Sequence, residues 1–354
     1  MILVLGSYAM PQLQGRDMDL DARQASHTRP TPRLGGIAFF SATCAGIGFV
    51  PATISEPYAQ FVLATSLLFA VTLLEDLGYA VSPRIRLLIA MLAALLVIVL
   101  LEVWLTRIGI AFIDPALNLW FFGVPLTLIA TAGVANAFNL IDGVNGLAVL
   151  TAGSAALALF AIADAAAFHD MSQLTLLFLA ALAGFAVLNF PFGLIFLGDA
   201  GAYTLGFILS WFGISMVLNI EELTPWAILL VMFWPVAETV FSMYRRSRRR
   251  TGTMQPDRIH MHQLVMRGLE VCLIGREKCL LANSMTTVVM APFVILPPIV
   301  GVLFWNEPKL AFAAVVVLST LFVSAYALGP AAVKRFRRRL KTKPSALSRC
   351  APDV

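Results

Sequence analysis

The sequence predicts an all-α polytopic membrane protein, and three observations carry that prediction. Charged residues make up 13% of the 354 positions, against 59% apolar. A soluble domain carries roughly 25% charge, so too little is present here to cover a water-facing surface. Apolar stretches long enough to cross a bilayer recur along the chain, and the basic residues collect in alternate loops between them. The first observation alone excludes a soluble multidomain protein, in keeping with a mean hydropathy of +0.85.

Crossing the hydrocarbon takes roughly 20 mostly apolar residues. With that window, spans are expected near 34–52, 59–75, 85–103, 118–135, 147–167, 173–190, 203–219, 224–243, 284–305 and 309–329, ten in all. The opening Met1–Met10 is apolar but too short to span, and it lacks the basic start and small-residue cleavage site of a signal peptide. It is expected to be either the stub of a truncated first helix or a segment whose true start lies upstream. Residues 1–330 form the integral membrane domain and 331–354 a basic cytoplasmic tail.

Of the 25 Lys and Arg residues, all but Arg107 and Lys309 fall in 1–33, 76–86, 136–146, 191–202, 244–283 and 330–354. Such an asymmetry places that face in the cytoplasm. It also accounts for the basic balance, 25 against 20 Asp and Glu with a pI near 9.2, as topology rather than as affinity for nucleic acid. The runs Arg245–Arg250 and Lys334–Lys343 read as anchors at the membrane surface. Cys44, Cys272, Cys279 and Cys350 form no disulfide framework.

The conspicuous polar motifs all fall on the basic face. They are Thr31-Pro32-Arg33-Leu34-Gly35-Gly36, then Glu75-Asp76 followed by Arg84 and Arg86, then Asn136 to Gly146 with Asn139, Asp142 and Asn145. Asn189-Phe190-Pro191 and Phe196-Leu197-Gly198-Asp199-Ala200-Gly201 follow, and Asp257-Arg258-Ile259-His260-Met261-His262 closes the set. Carboxylates at a bilayer boundary are costly unless they face a cavity or a partner. Glu75, Asp76, Asp142 and Asp199 end three different spans, ringed by Arg and His, which suggests a cation bridging to phosphates. Hard oxygen ligands that leave room for substrate suit Mg²⁺, with Mn²⁺ an admissible substitute. The glycines of Asp142-Gly143-Val144-Asn145-Gly146 and Gly198-Asp199-Ala200-Gly201 let backbone N–H groups approach an anion. His260 and His262 with Cys272 and Cys279 fit no common zinc spacing. Glu238, in the cytoplasmic half of its span, is expected to serve helix packing, with a helper role at the site as the alternative.

This set of motifs resembles the polyprenyl-phosphate N-acetylhexosamine-1-phosphate transferase family, in order and spacing, from about His27 to His262. The most specific elements are Asn136-Ala137-Phe138-Asn139-Leu140-Ile141-Asp142-Gly143 and Phe196-Leu197-Gly198-Asp199-Ala200-Gly201. The resemblance implies about eleven transmembrane helices, here with the first cut short, and a cytoplasmic cleft opening to the bilayer. It implies transfer of a sugar 1-phosphate from a UDP-HexNAc to undecaprenyl phosphate with release of UMP, using Mg²⁺, in a bacterial inner membrane. It makes Glu75, Asp76, Asp199, His260 and His262 catalytic, with Asp199 on the metal. Asn139, Asp142, Asn145, Asn189, Phe196, Arg84 and Arg258 are then the substrate-binding residues. The first of the family's paired aspartates is Glu75 here, and a second Asp often found in the family is Asn145. Gln263 stands where a third histidine often follows, which favours the GlcNAc-type branch over the muramyl-pentapeptide branch. A homodimer is compatible with this architecture. The competing classes are a transporter or lipid flippase, against which stand the one-sided motifs and the missing internal repeat, and an inactive scaffold of the same fold.

Overall fold

The computed structural model describes residues 31–249, 260–275 and 278–342, and among these it is helical with no strand. The helices are α1 (Gly35–Ala45), α2 (Ala52–Leu77), α3 (Pro83–Leu101), the one-turn α4 (Asp114–Leu117), α5 (Trp120–Ile141), α6 (Leu147–Ala165) and α7 (His169–Asn189). They continue with α8 (Gly198–Asn219), α9 (Pro225–Val231), α10 (Phe233–Arg249), α11 (Met261–Leu269), α12 (Cys279–Leu303) and α13 (Pro308–Thr342). Eight of them, α2, α3, α5, α6, α7, α8, α12 and α13, are long and apolar enough to cross a membrane. The chain is an all-α, multi-pass membrane protein.

Two expected spans differ from this picture. The stretch 34–52 is not a full crossing: α1 and the 3₁₀ turn Gly46–Gly48 make a short apolar helix. At 1.5 Å per residue it reaches about 21 Å, short of the hydrocarbon thickness of about 30 Å. The stretch 224–243 is broken at Met232 into α9 and α10, which meet at 83°. Pro235 stands in the first turn of α10, where its missing N–H costs nothing and its fixed φ starts a new helix. Counting that pair as one, the described residues hold up to nine spans rather than ten. The expected tail boundary at 330/331 falls inside α13, which continues to Thr342. The Met1–Met10 stub lies outside the described residues.

Helix α8 is the hub. It packs on α1, α2, α5 and α6, and 89% of its most apolar stretch lies inside the bundle. Tyr203, Leu205 and Phe207 of α8 meet Leu68 of α2 and Phe138 of α5 in the core. Leu63, Leu88, Val99, Val187 and Leu328 stay exposed, as lipid-facing side chains do. The ends follow ordinary capping rules. Ser82 accepts from the Ile85 N–H at 3.3 Å ahead of Pro83, and α2 closes at Gly78, with the Tyr79 N–H returned to Leu74 O at 2.9 Å. At the end of the bundle opposite the polar motifs, Arg107 donates to Val217 O (2.7 Å), Ile220 O (2.6 Å) and Leu223 O (2.9 Å). It thereby satisfies carbonyls at and beyond the C-terminus of α8 that the helix itself cannot.

Candidate active site

The polar motifs meet at one end of the bundle, around the start of α8. The carboxylate of Asp76, at the end of α2, accepts the Asp199 N–H on Oδ1 and the Ala200 N–H on Oδ2, both at 2.9 Å. Two of the N–H groups that a helix leaves unpaired at its start are so satisfied, by a charge of the sign the helix dipole favours. Gly198 permits the approach: its φ is +76°, and a Cβ there would lie 2.6 Å from Asp76 Oδ2. Glu75 takes a different path, accepting the Val81 N–H on Oε2 at 2.6 Å and closing the turn that leads to α3. The two neighbouring acids therefore serve different segments.

Asp199 itself forms an ion pair with Arg86. The Arg86 guanidinium lies 5.9 Å from the centre of the Tyr203 ring, and Tyr203 donates to Asn136 Oδ1 at 3.0 Å. The basic residue the structure puts at Asp199 is thus Arg86, which the sequence reading did not select; Arg84, which it did, is exposed on the first turn of α3. Two residues are more than half a helical turn, enough to separate the face toward α8 from the one away from it. The N–H groups of Gly35 and Gly36 donate to Phe196 O (2.9 Å) and Leu197 O (2.8 Å), pinning α1 against the same loop. Phe196 is half-buried there.

Asp142 follows the last turn of α5. Burial pushes its carboxyl up to about 7, with the positive charge of Arg33 pulling the other way; Asp142 keeps some accessible surface, but its surroundings are mostly protein. Asn139 is half-buried on the same last turn. Next to them lies the histidine segment. His262 is buried, and a Cβ on Gly143 would come 2.6 Å from its Nε2, so the glycine makes room for the ring. Burial pushes His262 down to about 4, against the pull of Glu238, so it is neutral at physiological pH. The His260 ring lies parallel to it at 5.7 Å.

Two asparagines expected at the substrate are spent on the scaffold. Asn189 accepts from the Gly146 N–H (2.8 Å) and donates to Ile195 O (2.9 Å). The backbone of Asn145 is held by Asn283 and Thr287 of α12, at 2.7 and 2.6 Å, and its side chain donates to Pro191 O at 3.3 Å. Both are buried, and they join the loops that carry Asp142 and Asp199. Glu238 does more than pack helices: its Oε1 accepts from His260 Nδ1 (3.2 Å) and from the Met261 N–H (2.8 Å). Its apolar neighbours in sequence gave no sign of this. Arg258 lies outside the described residues.

Among the described residues no three His, Cys, Asp or Glu side chains are grouped as a metal cage. The donor set at Asp199 suits a hard cation of the Mg²⁺ type, which takes one or two carboxylates and completes its shell with water and substrate phosphates. Arg86, paired with Asp199, shows that this carboxylate already carries a cationic partner.

Residues 58–217 match Glycosyl transferase family 4. That stretch contains Glu75, Asp76, Asn139, Asp142, Asn189 and Asp199, which the fold brings to one end. The chain is similar to that family over those residues. It is 29% identical over 252 residues to the undecaprenyl-phosphate alpha-N-acetylglucosaminyl 1-phosphate transferase of Escherichia coli (strain K12), covering 68% of this chain and 66% of that protein. It is 28% identical over 253 residues to the protein of the same name from Yersinia pestis, covering 68% and 67%. A third relative is the probable undecaprenyl-phosphate N-acetylglucosaminyl 1-phosphate transferase of Bacillus subtilis (strain 168), 27% identical over 254 residues, covering 70% and 69%. The chain thus spans a little under two thirds of the Escherichia coli protein.

Proposed function

We propose that this protein transfers a HexNAc 1-phosphate from a UDP-sugar to undecaprenyl phosphate. The products are undecaprenyl-diphosphate-HexNAc and UMP. The site faces the cytoplasm of a bacterial inner membrane, and the reaction opens the assembly of a cell-surface polysaccharide. The observation that carries this reading is the convergence of Asp76, Asp142, Asp199, Arg86 and two histidines at one end of a lipid-embedded bundle. A water-soluble nucleotide and a membrane-bound acceptor can both reach such a place. The names of the relatives support the same substrates, with GlcNAc the first sugar to test.

The reaction joins two anions, so charge repulsion is the barrier. An oxygen of the lipid phosphate attacks the sugar-bearing phosphorus of the UDP-sugar; a P–O bond forms as the one to UMP breaks. Such transfers need positioning and electrostatic stabilisation more than covalent help. Asp199 would hold Mg²⁺, which when bound neutralises charge gathering on the departing UMP. Arg86, already at Asp199, is placed to meet a phosphate oxygen. Asp76 acts by holding the start of α8, and so by fixing Asp199, because both its oxygens are engaged by N–H donors. Its role as a proton acceptor is correspondingly small. A phosphate with a second pKa of about 6 is largely ionised at neutral pH in any case. His260 and neutral His262 contact the diphosphate or sugar from the other side, while Asn139 and Asp142 lie toward the nucleotide.

The test incubates membranes containing the protein with undecaprenyl phosphate and radiolabelled UDP-GlcNAc, then a panel of other UDP-HexNAc donors. A butanol-extractable labelled lipid and stoichiometric UMP are expected, both lost with EDTA and restored by Mg²⁺. A transporter, a flippase or an inactive scaffold yields neither product. Undiminished product in metal-stripped enzyme overturns the metal assignment.

A further inference from the structure

The last helix reaches the histidine segment through a single buried carboxylate. Glu238, on α10, is 1% exposed. Its Oε1 accepts three hydrogen bonds: from His260 Nδ1 at 3.2 Å, from the Met261 N–H at 2.8 Å and from the Tyr326 hydroxyl of α13 at 2.6 Å. Its Oε2 has no partner among the described residues. The carboxylate's whole hold on the histidine segment therefore passes through one oxygen.

Tyr326 is fixed in turn. Its ring packs against Phe241 at 4.7 Å and Phe322 at 5.3 Å, and the Arg245 guanidinium lies 5.6 Å from its centre. An aromatic ring caged this way offers its hydroxyl in one direction. The carboxylate can only accept, so the proton of His260 Nδ1 points to it, and the Nε2–H of the doubly protonated ring is the donor left for a substrate oxygen. A carboxylate on the far nitrogen of a histidine both orients the ring and supports its cationic form when the near nitrogen faces an anion.

We propose that Tyr326 and Glu238 are positioning residues: together they clamp His260 in the orientation that receives the diphosphate of the nucleotide sugar. The clamp rests on the function proposed above, and it assigns α13 a part in donor binding although that helix carries none of the motifs. The interaction of His260 with the diphosphate is present in the bound ground state as well as in the transition state. Loosening it therefore weakens donor binding more than turnover.

The experiment is steady-state kinetics of the full-length protein in membranes, varying UDP-HexNAc and undecaprenyl phosphate separately. Tyr326→Phe deletes one of three hydrogen bonds and keeps the ring. It is expected to raise the KM for the nucleotide sugar about five- to tenfold, with kcat and the KM for the lipid within about twofold. In a His260→Ala background the same substitution is expected to add no further change, because the route to the donor is gone. Glu238→Gln, which keeps shape and acceptor oxygen but not charge, is expected to show the same one-sided rise and serves if Tyr326→Phe does not accumulate. An unchanged donor KM with only a lower melting temperature overturns the clamp, as does an equal effect of Tyr326→Phe with and without His260. Wild-type protein that makes no labelled lipid from any UDP-HexNAc overturns the proposed function and the clamp with it; an active wild type with an unmoved donor KM in the variant overturns the clamp alone.

Discussion

Replacing Gly36 by alanine tests how the site end is held together. A Cβ at position 36 would lie 2.5 Å from Gly201 N, 2.8 Å from Gly201 Cα and 3.0 Å from Leu197 O. All three are backbone atoms of the loop and first turn that carry Asp199, so no flexible side chain can give way. Overpacking of this kind costs about 1–3 kcal/mol. Separating α1 from α8 also stretches the bonds from Gly35 to Phe196 O and from Gly36 to Leu197 O, each worth about 0.5–1.5 kcal/mol. The sum is a loss of about 2–6 kcal/mol in Gly36→Ala, with reduced turnover because the start of α8 moves away from Asp76. Gly48→Ala is the control, since nothing lies within 4 Å of a Cβ there. Unfolding in mixed detergent micelles measures both. A Gly36→Ala protein within about 0.5 kcal/mol of wild type, and equal to Gly48→Ala, refutes the close-packing account.

Two further outcomes follow from the same geometry. Asp142 ionises in the folded state only near pH 7, above the usual carboxylate range, because burial disfavours its charge. Ionisation therefore works against the fold: Asp142 lowers stability progressively as pH rises from about 4 to about 7 and no further above that. Asp142→Asn should flatten that slope in melting temperature against pH, and an unchanged slope assigns it to other groups. Arg107→Ala removes the donors for Val217 O, Ile220 O and Leu223 O. A stability loss of about 2–4 kcal/mol is expected, with both KM values unaltered because the residue sits at the opposite end from the site; a shift in either KM contradicts that separation.

Fold class was legible in the sequence because a lipid-facing helix must be apolar over a length set by the bilayer, and little else can produce such stretches. Less legible was how far each stretch runs as one helix. The region 224–243 is as apolar as its neighbours, yet the chain turns at Met232, and the trace it left was a second proline, Pro235, ten positions after Pro225. The region 34–52 ends early at Gly46–Gly48, where nothing in hydropathy marks a stop. At the site, residue types and their convergence were readable from motif spacing, whereas rotational phase was not. Arg84 and Arg86 are indistinguishable as letters, and only the packing of α3 on α2 and α5, which turns position 86 toward Asp199, selects Arg86. Asn145 and Asn189 were readable as polar and near the site, but their hydrogen bonds run to α12 and to the loop after α7, contacts between segments distant in sequence. The partners of Glu238 were hidden for the same reason, since they come from the start of α11 and from α13.

The contact between Asp76 and the first turn of α8 constrains how the sequence can drift. A side chain at 198 would collide with the Asp76 carboxylate, and a shorter or neutral side chain at 76 would leave two N–H groups at 199 and 200 without their acceptor. Neither position can change without penalty while the other stays as it is. Across a broad sample of related sequences, positions 76 and 198 should accordingly be fixed together or be replaced as a pair, although more than a hundred residues of chain separate them.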